Sequence, residues 1–160
     1  MPRDSTRSRR EDRTQRAAPL SPVSVRARAV IPYGDGIVVA RERRHGKAHV
    51  TIPGGRVGQG ESAEGAALRE VHEETGLEIE LGPLLYVAEV MASVRRQDLN
   101  LIFLARIIGE SEGTPDVAGP EDEGVEILPP ILDRIRRDQA RGWDEMGVWL
   151  GNVRQGDLGR

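Results

Sequence analysis

The chain has 160 residues, 38% hydrophobic and 31% charged, with a formal net charge of -3. That length suits one domain with its own core, and the slight acidity argues against wholesale nucleic-acid binding. The lack of cysteine excludes disulfides, zinc–thiolate centres and thiol nucleophiles, and no apolar run approaches the roughly 20 residues that span a bilayer.

Residues 1–20 read as a tail. Arg3, Arg7, Arg9, Arg10, Arg13 and Arg16 fall there with almost nothing apolar before Ala17, so the segment is expected to stay disordered. An Arg-rich start also suits a transit peptide or a nucleic-acid arm. The apolar stretch of a secretory signal is missing, and a cytoplasmic protein is expected. The folded domain is expected over residues 21–150, with residues 151–160 frayed. Val25, Ala27 and Ala29 alternate with Arg26 and Arg28, the period-two pattern of a half-buried strand. Tyr33-Gly34-Asp35-Gly36 is a hairpin signal, and a return strand runs from Ile37 to Arg44. A short extended piece, Val50 to Ile52, leads into Pro53-Gly54-Gly55. A helix follows over Ser62 to Thr75, with Ser62 as N-cap and Gly76 closing it. Leu84–Val90 and Leu99–Ile108 read as strands joined by the polar connection Arg95-Arg96-Gln97-Asp98. Residues 110–124 read as an acidic loop and Val125–Leu128 as a last short strand. Pro129-Pro130 opens a C-terminal helix with Ile131, Leu132 and Ile135 at helical spacing. One helix lying mid-chain among strands predicts a mixed β-sheet flanked by helices, an α/β fold of the α+β type.

The chemistry concentrates on the first helix. At about 100° per residue, Glu73 and Glu74 lie about 60° and 40° to either side of Glu70, on one face. Ala67, Leu68, Val71 and Thr75 form the neighbouring stripe, which is expected to meet the sheet. Like charges three and four apart oppose a helix, so the acids call for a positive counterpart. A hard cation such as Mg²⁺, held by oxygen ligands, meets that need. It also brings phosphate chemistry, through charge neutralisation and activation of a bound water. Arg69 is expected to pair with Glu61 or Glu73 and so to orient the ligands. Gly54-Gly55 permits a sharp turn that brings carbonyl oxygens near the helix start. The alternative is a solvated, self-repelling helix face, which three acids alone would not exclude.

The spacing Gly55-x5-Glu61-x7-Arg69-Glu70-Val71-x-Glu73-Glu74-x-Gly76-Leu77 resembles the complete signature of the Nudix hydrolases, with all nine specified positions matched. The resemblance extends over roughly Val23 to Arg141. It implies a Nudix-like sheet between helices and hydrolysis of a nucleoside diphosphate linked to another group, by water attack on phosphorus. It implies Mg²⁺, with Mn²⁺ as a substitute, held by Glu70, Glu74 and the Gly55 carbonyl. Glu73 would be a third ligand or the general base, with Glu61 and Arg69 bracing the loop against the helix. A base from a later loop is the alternative, where Glu121, Asp122, Glu123 and Glu126 are available and Glu123 is preferred. Arg41 and Arg43, on one face of their strand, are candidates for substrate phosphates; exposed strand charge is the bland alternative, as it is for Arg26 and Arg28. His45, His49 and His72 do not form a metal cluster by spacing. Phe103 is expected in the core, and Trp143 and Trp149 are expected to pack the last helix on the sheet. The expected partner is a small nucleotide, with no membrane and no nucleic acid; a homodimer is compatible with the resemblance. A nucleotide-sensing module without catalysis, or an enzyme acting on RNA 5′ ends, are the competing readings.

Overall fold

The computed structural model describes residues 22–44, 46–93, 95–109, 113–119, 129–143 and 148–154. Ten strands and two helices are defined among them. β1 (Val23–Val30) follows the alternation in the sequence, and Ala27 and Ala29 are fully buried. β2 (Pro32–Tyr33) and β3 (Gly36–Val38) form the hairpin about Gly34-Asp35. The return strand is not continuous. β3 pairs with β9 (Val117–Ala118), while β4 (Ala40–Arg44) pairs with β5 (Lys47–Thr51). The change of partner falls at Val39, whose amide donates to the Asp116 carbonyl. β6 (Gly54–Arg56) then runs into α1 (Ala63–Thr75).

The main sheet has five strands in the order β10-β7-β8-β1-β6. β7 (Ile79–Ser93) and β8 (Arg96–Ile107) are antiparallel neighbours. β1 lies parallel to β8 and antiparallel to β6. β10 (Val148–Arg154) adds a parallel strand beyond β7. The sheet is therefore mixed, as expected. Several boundaries differ from the sequence reading: β9 lies within the expected acidic loop and β5 begins three residues before Val50. β7 starts five residues before Leu84, because it passes Gly82-Pro83 by a shift of register instead of ending there. Arg96 to Asp98 belong to β8 and not to a connection, since each pairs across to β7 and Asp98 also meets buried Arg26. Residues 151–154, expected to fray, continue β10, because ladder pairing with β7 satisfies their backbone.

α1 covers one face of the sheet. Ala66, Ala67 and Val71 are fully buried against Ala27, Ala29, Phe103 and Ala105. Alanines on both sides of this contact let the helix axis approach closely, and each buried apolar side chain of Val71's size contributes about 1.5–3 kcal/mol. Leu68, expected on this stripe, is 41% exposed and Ala66 takes its place. The opposite face carries the larger cluster, with Val30, Val39, Ile52, Tyr86, Ile102 and Ile135. Ile135 comes from α2 (Pro129–Arg141), so the sheet lies between the two helices. Trp143 packs against this second cluster; the side chain of Trp149 is outside the described residues.

Candidate active site

The cluster of acids is built where three backbone segments meet. β6 lies against β1 with Gly54 opposite Arg28 and Gly55 opposite Ala27. Gly54 has φ 138°, and a Cβ there would overlap the Ala27 carbonyl oxygen and the Arg28 Cα. A Cβ on Gly55 would overlap the Glu70 carboxyl group. The first glycine thus lets the loop lie on β1, and the second lets a carboxylate lie on the loop. The sequence predicted a sharp turn here; the structure requires close approach on both sides.

α1 is held at both ends. Ser62 Oγ accepts from the Gly65 amide at 3.0 Å, and Gly76 adopts φ 70° with its amide donating to the His72 carbonyl. This fixed helix presents its acids to the loop. Glu74 Oε2 accepts from the Gly54 amide at 2.9 Å. Glu70 lies against Gly55, its side chain 19% exposed, and Glu73 projects outward at 58%. The same-face placement expected from the helical wheel is the one found.

Arg69 has a larger role than expected. Its Nε and Nη2 form a forked pair with Glu61 at 2.8 and 3.0 Å, and Nη2 also donates to the Arg56 carbonyl. Its Nη1 donates to Glu70 at 2.9 Å and to Glu73 at 3.4 Å. A single guanidinium therefore ties the loop before the helix to two of the three acids and supplies part of their neutralising charge. The Arg69 bond, followed by the Gly58 amide at 2.8 Å, holds the Glu61 carboxyl down at about 2. Reciprocally, the bonds to Glu61 and Glu70 raise the Arg69 pKa.

Carboxylates and backbone carbonyls are the donors that a hard divalent cation takes. Glu70, Glu74 and the Gly55 backbone adjoin one another, so the chemistry and proximity of the donors fit such an ion. Among the described residues no three His, Asp or Glu side chains are yet drawn together around one point.

Arg41 is exposed and pairs with Asp116 at 3.4 Å, and Arg43 is exposed on the same strand. Glu121, Asp122, Glu123 and Glu126 lie outside the described residues, as does His45; His72 is exposed. Arg26 and Arg28 are not exposed strand charges. Arg26 is buried with Asp98 at 3.3 Å. Arg28 turns under the Gly54 loop and donates to Asn100, Thr51, Ile52 and Gly54. The only sequence hint for this was the side-chain alternation that put Arg28 opposite the α1-facing alanines.

The family model described as NUDIX domain matches residues 23–142. A Bacillus subtilis (strain 168) protein named "Putative 8-oxo-dGTP diphosphatase" is 38% identical over 79 residues, which is 49% of each chain. The chain thus spans about half the length of this curated relative. Among solved structures, a NUDIX hydrolase from Nitrosomonas europaea superposes with a TM-score of 0.65 at 16% identity, covering 82% of this chain and 79% of that one. The E. coli ORF135 protein superposes with a TM-score of 0.61 at 19% identity, covering 78% and 97%. At such identities these likenesses establish the fold alone. With the family match running from β1 past α2, and the glycine loop and acidic helix built as the spacing requires, the chain belongs to the Nudix family.

Proposed function

We propose that the chain is a Mg²⁺-dependent hydrolase that cleaves a phosphoanhydride bond in a nucleoside diphosphate derivative. The observation that carries this reading is the contact of the Glu70 and Glu74 carboxylates with the Gly54-Gly55 backbone. Glu70, Glu74 and the Gly55 carbonyl would hold the cation. A bound cation would supply neutralisation of phosphate charge and acidify a water at the attacking position. Glu61 and Arg69 keep the loop and helix in register. Glu73, exposed where Glu70 and Glu74 are partly buried, is a third ligand or accepts the water's proton; Glu123 is the alternative base. Arg41 and Arg43 are candidates to meet phosphate oxygens. A cytoplasmic location is part of this proposal, and no described helix is long and apolar enough to cross a membrane.

The relative's name puts oxidised purine nucleoside triphosphates in the first substrate panel, beside nucleoside diphosphate conjugates. Release of nucleoside monophosphate or phosphate is measured with Mg²⁺ and with a chelator. Glu74→Gln is expected to lower kcat by on the order of 10²–10³-fold, as removal of a charge-stabilising contact does, while the protein stays folded. Undiminished turnover in that variant removes Glu74 from the cation site. In a parallel measurement, an unaltered rate for Glu123→Gln leaves Glu73 as the base.

A further inference from the structure

We infer that Arg28, anchored by Asn100, is a positioning residue that sets the Gly54-Gly55 loop against the acidic helix. This inference rests on the hydrolase reading above. Its basis is a continuous series of bonds from the middle of the sheet to the helix. Asn100 on β8 is 6% exposed, and its Oδ1 accepts from Arg28 Nε at 3.0 Å. That fixes the guanidinium plane. Arg28 Nη1 then donates to the Ile52 carbonyl at 2.9 Å, with longer bonds to Thr51 Oγ1 at 3.3 Å and the Gly54 carbonyl at 3.4 Å. These acceptors flank Pro53, whose own carbonyl accepts from the Ala29 amide at 3.0 Å. The next amide along, that of Gly54, donates to Glu74.

The geometry separates this role from two others. Were Arg28 a plain strand charge, it would point to solvent and leave the loop carbonyls to water. Were it a substrate contact, its donors would be free to face outward. Instead the Nη1 bonds and the Nε bond run to the protein's own acceptors, and three of those acceptors belong to the stretch that ends at Gly54. A backbone carbonyl pinned from below cannot rotate without breaking a charge-assisted bond. The peptide planes on either side of Pro53, and the one between Gly54 and Gly55, are therefore fixed, and with them the directions of the Gly54 and Gly55 amides. The absence of a Cβ on Gly54 is part of the same device, since a Cβ would also press on Arg28 Cγ. Outer partners of this kind change metal affinity or activity by about 10–100-fold when removed.

The test combines amide hydrogen exchange at Gly54 and Gly55 with steady-state kinetics and Mg²⁺ half-saturation, on Arg28→Met, Arg28→Lys and Asn100→Ala. Arg28→Met is expected to speed Gly54 exchange and to lower kcat by about tenfold or more, with KM within about twofold of the parent. Mg²⁺ half-saturation rises. Arg28→Lys, which keeps the charge with a smaller donor set, returns part of the protection and part of the rate. Asn100→Ala moves each quantity in the same direction by less. Unaltered Gly54 exchange in Arg28→Met overturns the inference. So does a raised KM at unaltered kcat, which would make Arg28 a substrate contact. If Arg28→Met does not fold, Arg28→Lys and Asn100→Ala decide by the same readouts. Exchange is read without turnover, so a parent protein that hydrolyses nothing would defeat the hydrolase reading while Gly54 exchange still decides the placement of the loop.

Discussion

Two adjacent glycines illustrate how far single residues can be read in advance. The pair was legible as a turn from sequence, because glycine is the residue that turns most freely. Its actual requirement is tertiary: Gly54 makes room for β1, and Gly55 makes room for Glu70. No local rule contains that information. Gly55→Ala is therefore expected to push the Glu70 carboxylate off the loop and lower Mg²⁺-dependent turnover by on the order of tenfold or more, with a smaller effect on the thermal midpoint; parallel kinetics and melting check it. Arg69 was half legible. Glu73 lies four residues on and Glu61 just before the helix, so either pairing was legible, but the bond to Glu70 depends on the side-chain conformation set by the forked contact with Glu61. The depressed Glu61 carboxyl also gives a pH dependence. In the folded chain it is held at about 2, below its ordinary value of 4.5. The stabilisation is present above pH 4.5 and is lost as the pH falls toward 2. The melting-temperature difference between the parent and Glu61→Gln is therefore expected to be constant at neutral pH and to shrink across that acid window.

At the level of elements, caps outperformed faces. Ser62 and Gly76 bound α1 where the sequence placed them, because both act on backbone groups within a turn or so of themselves. The buried stripe was shifted, with Leu68 exposed and Ala66 buried, since a wheel gives angles but not where the sheet lies. The second helix is fixed by a contact that no periodicity reveals. Tyr86 on β7 donates to Asp138 Oδ2 at 2.7 Å, and Arg134 donates to the same oxygen at 2.6 Å. Burial, then the neighbouring carboxylate, pushes the Tyr86 hydroxyl pKa up. Burial alone would raise Asp138, but the Arg134 and Tyr86 bonds hold its carboxyl below the usual range. Tyr86→Phe leaves the ring in the core and removes one charged hydrogen bond, so it is expected to cost about 1.5–3 kcal/mol, read from denaturant midpoints.

Across the whole molecule, the sandwich of a mixed sheet between helices was legible from the order of elements, whereas the sheet's outer boundary was not. β10 is a short segment near the end of the chain, and what makes it a strand is the free edge of β7. A chain ending at residue 147 leaves that edge open and is expected to self-associate and melt earlier, as size-exclusion chromatography and calorimetry would report. The inner order has another consequence. β1 stands between β6 and β8, yet its parallel neighbour follows it by roughly seventy residues. During synthesis the loop and α1 emerge well before that neighbour exists. Arg69 and Glu61 emerge with them, so this short unit carries its own counter-charge and caps while the nascent sheet waits for its central strand pair to close.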